Sequence, residues 1–472
     1  MKTYQDLQEA QKGGAKDLMS FLLGAINDHK SSDMYKTAVE ADLYMRQLNP
    51  TITNYVKYIY DIAGEAVPDV YSANHKCTSN FFQRFVTQEN QYLLGNGVTF
   101  ENEKTKEKLG GADFDKVLQF AGEAALVGGI SFGFYNYDKV ELFKITEFVP
   151  LWDEENGSLS AGIRFWQIDP QKPLRVVLYE LDGYTNYMKR NGKDFEELHP
   201  KKTYKQKVRH SEIDGTEIYD SGNYFKIYNG ENLPLFPIVP FWGNPEHQSE
   251  ITGIRTQIDA YDLIKSGFAN DLDDASMIYW TISNAGGMDD PDLEKFIKRL
   301  KTIRAAQTNE ETNIQSHTVD VPYQSREVYL TRLENDMYND FMALNIRGIS
   351  AGNNTATAIE AAYEPMNNKA DRYEYCAIQF IQGLLELAGV EDTPAFKRSK
   401  LVNMTEETNM ILAAANYLDD ETILNHLPFL SVDEVKDVLE HRAKEELKRY
   451  DNTADDETVQ QEDNNAVIEG VE

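Results

Sequence analysis

Cysteine is nearly absent: Cys77 and Cys376 are the only two in 472 residues. Two cysteines cannot build a disulfide framework, and this pair lacks metal-ligand spacing, so a reducing compartment is the simplest setting. No apolar run approaches the roughly 18 residues that would cross a bilayer. The start, Met1-Lys2-Thr3-Tyr4-Gln5-Asp6 with Glu9 behind it, has no apolar stretch and no small-residue cleavage site. No signal peptide is expected, and the protein is expected to be soluble and made in a cytoplasm. Positive charge is scarce as well: 47 Lys plus Arg stand against 78 Asp plus Glu, a formal charge of −31. Phosphate affinity comes mostly from Lys and Arg, so nonspecific duplex binding by an overall basic surface is excluded. A protein that DNA must pass without sticking is not.

The common signatures of catalysis are missing too. There is no G-x-x-x-x-G-K-[ST], which excludes a P-loop motor, and no H-E-x-x-H or Cys/His cluster among the eight scattered histidines. There is no G-x-S-x-G elbow. Gly128-Gly129 and Gly286-Gly287 are turn signals only, and no fixed-period repeat is present. One enzymatic reading stays open: Asp153, Glu154 and Glu155, beside Trp152 and Trp166, could hold a glycosidase carboxylate pair. A solvated hairpin with aromatics beneath it explains the same residues, since nothing in the sequence sets the carboxylate separation. No cofactor, metal or catalytic residue is expected.

What is present is a globular composition, 41% hydrophobic and 11% aromatic, with a length suited to about three domains. Residues 1–125 read as helical; Phe81-Phe82-Gln83-Arg84-Phe85-Val86 and Tyr92-Leu93-Leu94 place apolar side chains at helical spacing, closed by Gly95. Residues 113–127 repeat the pattern. From 130 to 242 short aromatic and β-branched runs predict a mostly antiparallel sheet, including Ile130–Tyr135, Ile163–Ile168, Arg175–Tyr179 and Tyr224–Tyr228. Asn156-Gly157, Asp182-Gly183, Asn191-Gly192, Asp214-Gly215 and Asn229-Gly230 are its expected turns. The Pro-rich run 233–240 closes the region.

The most regular helix signal follows. Ile251, Ile254, Ile258, Tyr261, Ile264, Phe268, Leu272 and Ala275 step by three or four residues, predicting a helix over 250–277 of roughly 40 Å. Its other face carries an acidic surplus: Glu250, Asp259, Asp262, Asp271, Asp273 and Asp274, against Arg255 and Lys265. A small α/β excursion over 278–322 contains a strand at 278–282, a helix after Pro291 and a returning strand at 319–321. A second long helix over 323–346 carries Leu330, Leu333, Met337, Phe341 and Leu344. One-sided helices of this kind must bury their stripes against each other or against a neighbouring subunit. A Gly/Asn loop, 347–355, leads into a third helix from Ala356 that Pro365 should kink and Gly389 should stop. Residues 405–450 read as helical, and 451–472, acidic and without Lys or Arg, as disordered.

Long helix, small insert, long helix, Gly/Asn loop, kinked helix: this order resembles the core of tailed-bacteriophage, siphovirus-type portal proteins. Tyr92-Leu93-Leu94-Gly95-Asn96-Gly97-Val98-Thr99-Phe100 is similar to their Y-[LF]-x-G-x-P-[IV]-x-[YF] stretch. Asn354-Thr355-Ala356-Thr357-Ala358-Ile359-Glu360, continuing through Pro365 and Lys369-Ala370, resembles the entry to their tunnel helix. Leu418–Leu424, Leu427–Leu430 and Asp433-Glu434 are similar to their C-terminal S-x-x-T-[IL]-L…P-x-[VL]…D-x-x-E pattern. The chain departs at Gly97, where the family favours Pro, and at Asp419, where it favours Ser; Asp caps a helix as well as Ser does.

The resemblance, over about residues 40–445, implies an α+β, mainly helical fold with wing, stem, clip and crown, assembled as a homo-oligomeric ring, usually of twelve. It places the wing at 1–249 (β-rich over 130–242), stem helices at 250–277 and 323–346, and the clip at 278–322. The tunnel loop falls at 347–355, the kinked helix at 356–389 and the crown at 390–450. Double-stranded DNA would be packaged and ejected through the ring at a capsid vertex of the virion, after assembly in the host cytoplasm. The terminase large subunit, head-completion or adaptor proteins, and major capsid and scaffolding proteins would be partners, with no membrane. Expected tunnel-loop residues are Arg347, Gly348, Ser350, Gly352, Asn353, Asn354 and Thr355, able to touch phosphate weakly. Asp259, Asp262, Asp271, Asp273 and Asp274 would face the channel and repel DNA over a Debye length of about 8 Å. Trp280, Lys295, Lys298 and Arg299 would form the clip's partner surface, and Pro365 the kink. The alternatives are a soluble carbohydrate-active hydrolase built on 130–242 and a different ring-forming head–tail adaptor.

Overall fold

The computed structural model of the chain describes residues 2–60, 64–70, 72–102, 104–136, 139–202, 204, 208–210, 217–219, 235–276, 279–283, 291, 295, 313–317, 323–346, 356–399, 408, 411–427, 435, 438–442 and 444. They fall into two units, residues 1–345 with 364–399, and residues 346–363 with 400–472. The helices are α1 (Tyr4–Lys12), α2 (Ala15–Ser31), α3 (Asp33–Met45), α4 (Pro50–Thr53), α5 (Phe81–Leu94), α6 (Lys104–Leu109), α7 (Asp113–Gly128), α8 (Arg255–Ser276), α9 (Tyr323–Asp340), α10 (Ala356–Ala388) and α11 (Asp420–His426). Strands that matter below are β1 (Ile130–Tyr135), β2 (Val140–Lys144), β3 (Phe148–Trp152), β4 (Leu159–Trp166), β5 (Leu174–Glu180), β6 (Gly183–Lys189), β7 (Phe195–Lys202), β8 (Ile238–Trp242), β9 (Tyr279–Ser283) and β10 (Asn313–His317). The fold is α+β, with every strand pair antiparallel among the described residues.

In the first unit, β3 to β7 form a five-stranded meander in sequence order. Three of the expected turns, at Asn156-Gly157, Asp182-Gly183 and Asn191-Gly192, join its strands. The sheet is buried on both faces. Val176 and Leu178 pack with Leu7, Phe21, Leu22 and Ile26 of α1 and α2. Their neighbours Val177 and Tyr179 join Phe134, Phe143 and Phe148 on the opposite face, as a period of two requires. Thr3 and Asp6 cap α1 reciprocally. His29 of α2 is buried with Nε2 2.8 Å from the Ile145 carbonyl. A carbonyl only accepts, so Nε2 carries the hydrogen, and burial holds the ring below its ordinary pKa.

A second sheet, ordered β8-β1-β2, connects this sandwich to a helical core. Ile130, Phe132 and Phe134 of β1 face the sandwich. Ser131 turns to α7, its hydroxyl donating to the Ala121 carbonyl at 2.8 Å, and Tyr135 belongs to the helical cluster. All six residues of β1 are buried, which is why the run reads as continuously apolar and aromatic rather than alternating. Pro240 sits in β8, an edge strand, where a missing N–H is tolerated. In the helical core, Phe85 of α5 packs against Tyr338 and Phe341 (ring centroids 5.1 and 4.9 Å), and Phe241 stacks on Phe380 of α10 at 4.6 Å.

The two long helices pair antiparallel with each other. Gln257 Nε2 donates to Asp340 Oδ2 at one end, and Arg326 forms an ion pair with Asp271 nearer the other. Beyond them β9 pairs with β10, from Tyr279↔His317 to Ser283↔Asn313. The partner strand is thus 313–317; the expected strand at 319–321 and most of the helix after Pro291 lie outside the described residues. So do the strand at 224–228, the turns at 214–215 and 229–230, and the tail 451–472. α10 is one continuous helix of 33 residues with the exposed Pro365 inside it. It ends as expected at Gly389, at φ +65 with the Val390 amide donating to the Leu385 carbonyl at 3.0 Å. In the second unit Asp419 caps α11, its carboxylate accepting from the Thr422 amide at 3.1 Å.

Gly133 of β1 lies close against α10: a Cβ there would lie 2.6 Å from Phe380 Cζ. Gly133→Ala is expected to cost about 1–3 kcal/mol, the usual cost of overpacking. Gly24→Ala in α2, with nothing within 4 Å, should gain up to about 1 kcal/mol. Equilibrium urea unfolding measures both.

Candidate functional site

The helix pair α8–α9 carries the residues expected to matter most, and the acidic face of α8 is not bare. Residues 72–80 have no regular secondary structure and run antiparallel along α8 as an extended strap. The His75 amide donates to Asn270 Oδ1 at 2.7 Å and the Cys77 amide to Ser266 Oγ at 2.9 Å. Asn49, which leads into α4, donates from Nδ2 both to the Asp262 carboxylate and to the Ser79 carbonyl (3.1 Å). Strap positions 75, 77 and 79 thereby meet helix positions 270, 266 and 262. The match is geometric: two extended residues advance about 6.6 Å and four helical residues about 6.0 Å. The stripe ends at Asp273, which pairs with the His75 ring.

Asp262 is therefore a correction to the sequence expectation. It is fully buried under the strap and presents nothing to a channel. Burial pushes its carboxyl above the ordinary range, while hydrogen bonds from Ser79 and Asn49 and the Lys265 charge pull it back. Asp259 and Asp271 also have partners inside the chain. Asp259 accepts from the Tyr44 hydroxyl at 2.6 Å and lies 3.8 Å from Arg255, which in turn pairs with Glu40 at 2.9 Å. Burial and Asp259 push the Tyr44 phenol far above its usual pKa, so it stays a donor. Asp271 is held by Arg326, which also lies over the Phe268 ring. The side chain of Asp274 lies outside the described residues.

Arg347, Gly348, Ser350, Gly352, Asn353, Asn354 and Thr355 all lie outside the described residues, as do Lys298, Arg299 and the side chain of Trp280. Trp280 is placed in β9 opposite Ser316, and Lys295 is exposed. Two of the candidate carboxylates are taken up by the first helix. Gln5 of α1 donates to Asp153 Oδ1 at 2.9 Å and Thr3 to Glu154 Oε1 at 2.7 Å, so both acids dock the first helix onto the β3–β4 turn. The Gln5 bond also holds the Asp153 carboxyl below its usual range. Gly97 explains its own departure from the expected proline. It adopts φ +75, whereas proline is locked near −65°, and a Cβ there would meet the Asp115 carboxylate at 2.7 Å.

The strap is what sequence reasoning missed. Its trace is the stripe Asp262, Ser266, Asn270: too polar to be core, and too regular and too weakly charged to be a solvated face. Among the described residues no helix is long and apolar enough to cross a membrane. Ser266→Ala and Asn270→Ala each leave a strap amide without its acceptor, at about 1–3 kcal/mol per orphaned group. Amide exchange of Cys77 and His75 respectively should then speed by about fivefold to a hundredfold, one factor of ten per 1.4 kcal/mol. Hydrogen–deuterium exchange of the two variants against the parent chain checks this.

Comparison with known proteins supplies the family. Residues 35–458 match the family described as phage portal protein, SPP1 Gp6-like. The portal protein of Clostridium phage phiCD119 is 22% identical over 427 residues, covering 82% of this chain and 88% of that protein. The portal protein of Bacillus phage SPP1 is 22% identical over 449 residues, covering 86% and 84%. Among solved structures, a chain of the virion of a native gene transfer agent particle overlaps 75% of this chain and 90% of its own, at 11% identity and a TM-score of 0.42. A chain from the neck of an empty gene transfer agent particle, computed with C6 symmetry, gives 75%, 91%, 11% and 0.41. The family match spans both long helices, their β-paired insert and most of both units, and the chain belongs to the SPP1 Gp6-like phage portal proteins.

Proposed function

We propose that this chain forms a noncatalytic ring at one capsid vertex, through which double-stranded DNA is packaged and later ejected. The family match over residues 35–458 carries the reading. The helix pair supports it. Leu263 and Leu272 of α8 are 43% and 54% exposed, and Val328 of α9 is 70% exposed. Nine residues apart on a helix, Leu263 and Leu272 point about 180° away from each other. Apolar residues on opposite flanks suit a head-to-tail contact, in which each copy touches one neighbour with each flank; such contacts build a ring when the rotation between copies closes.

In this reading 1–249 is wing, α8 and α9 are stem, 278–322 is clip, 347–355 is the tunnel loop and 390–450 is crown. The clip, with Trp280, Lys295, Lys298 and Arg299, docks the terminase large subunit during packaging and a head-completion protein afterwards. Twelve copies, capsid and scaffolding partners, and assembly in a host cytoplasm belong to the same proposal. The passage is kept slippery by the charge of −31 on each copy rather than by Asp262. Repulsion is short-ranged at physiological salt. The polar loop, with Arg347 as its cation, touches phosphate weakly and reversibly.

Negative-stain imaging and native mass measurement of the purified protein should show rings with a central hole; a strict monomer at high concentration in several salts would overturn the proposal. Leu272→Asp combined with Val328→Asp should shift rings to monomers while leaving the far-UV circular dichroism unchanged. Deletion of 350–354 should leave rings intact and abolish DNA packaging in an in vitro assay; unimpaired packaging removes the loop from the mechanism.

A further inference from the structure

One ammonium inside the helical core serves two carboxylates. Lys369 of α10 places Nζ 2.7 Å from Glu250 Oε2 and 3.1 Å from Glu89 Oε2, with side chains only 16%, 13% and 6% exposed. The same Nζ donates to the Phe341 carbonyl at 3.2 Å and lies over the Phe341 ring. Glu89 comes from α5, Glu250 from the segment before α8 and Phe341 from the turn after α9. A single side chain thus fastens α10 to three other helical elements.

The charges do not balance. Two ionised carboxylates and one ammonium leave a net negative charge in a nearly dry site, and uncompensated buried charge is costly enough that such groups usually neutralise instead. The contacts distinguish the two carboxylates. Glu250 has the shorter bond to Lys369, and its other oxygen accepts from Asn244 Nδ2 at 2.7 Å. Glu89 is the more buried and, among the described residues, makes only the longer Lys369 contact. Among the described residues no second cation faces it: the charged and titratable groups around it are Lys369 and Tyr373 of α10, and Glu250. The Tyr373 hydroxyl donates instead to Asn90 Oδ1 at 2.8 Å.

We propose that Glu89, Lys369 and Glu250 form a proton-loaded clasp: Glu89 holds a proton in the folded chain, and losing it unfastens α10 from α5 and from the base of the helix pair. The clasp lies within one chain and does not depend on ring assembly. Its electrostatics agree with the geometry. Burial raises the Glu89 carboxyl to about 8, with Lys369 pulling it down and Glu250 pushing it up. The folded state then keeps a proton that the unfolded state releases near pH 4.5. Stability from this group is present below pH 4.5 and is lost as pH rises to about 8.

The test is thermal melting of the full chain and its E89Q variant across that range. Glutamine mimics the protonated acid, so the two should melt together below pH 4.5, and E89Q should melt higher above pH 8. At that alkaline pH the amides of 366–373 should exchange faster in the parent chain than in E89Q. Parallel melting curves at all pH values would overturn the clasp. Should E89Q fail to fold, infrared spectroscopy of the parent chain decides. A buried protonated carboxyl band present at neutral pH and titrating away in alkali supports the proposal, and its absence refutes it.

Discussion

Much of the first unit depends on one match of repeats, that between an extended backbone and a helix surface. The strap over 72–80 gives its amides to α8 at positions two residues apart on one side and four on the other. The polar stripe of α8 would otherwise face its own core, where unpaired hydrogen-bonding groups are expensive. The strap gives amide donors to Ser266 and Asn270 of that stripe and also fixes where α5 begins, since Phe81 directly follows Asn80. α5 in turn carries the aromatic side chains around which α9 and α10 pack. Removing the strap's bonds thus affects the helix that organises the whole helical core.

This changes how the acidic balance of the chain should be understood. Formal charge counts every carboxylate alike, but their surroundings sort them. Asp262 is consumed by Asn49 and the strap, Asp271 by Arg326 and Asp153 by Gln5. Each stabilises an internal junction; Asp262 is buried and the charge of Asp271 is offset by Arg326, whereas Asp153 keeps its charge at the surface. Under the function proposed above, Asp262 adds nothing to the field that a passing polyanion would meet.

Much of the architecture was legible because burial is periodic. The spacing of Ile258, Tyr261, Ile264 and Phe268 announced α8; the buried Ile251 and Ile254 of the same stripe sit in the turn before it, and Leu272 at its far end is exposed. Three of the Asn-Gly and Asp-Gly pairs marked real turns of the meander, and Gly389 ended α10. The pairing of α8 with α9 could not be read, because an apolar stripe says that something covers it and not what. The strap was hidden for a related reason. Its recognition is through backbone amides, which every residue has, so the sequence of 72–80 carries no signature of its own. Only the acceptors on α8 leave a trace, and acidic Asp262 looks the same on paper whether it faces water or an amide. The Glu89 clasp was hidden in turn by distance along the chain, its three members lying at 89, 250 and 369.

Pro240 lies at the rim of the β8-β1-β2 sheet, opposite Phe132. Proline has no hydrogen to give to a strand arriving from outside, so that rim is one donor short. In a lone molecule this would hardly matter. When many identical copies are crowded shoulder to shoulder, every open sheet margin is an invitation to stitch neighbours together through their main chains, in the wrong place and irreversibly. A blunted margin keeps such copies meeting through their side chains, where contacts can be undone and rearranged while the assembly is still finding its shape.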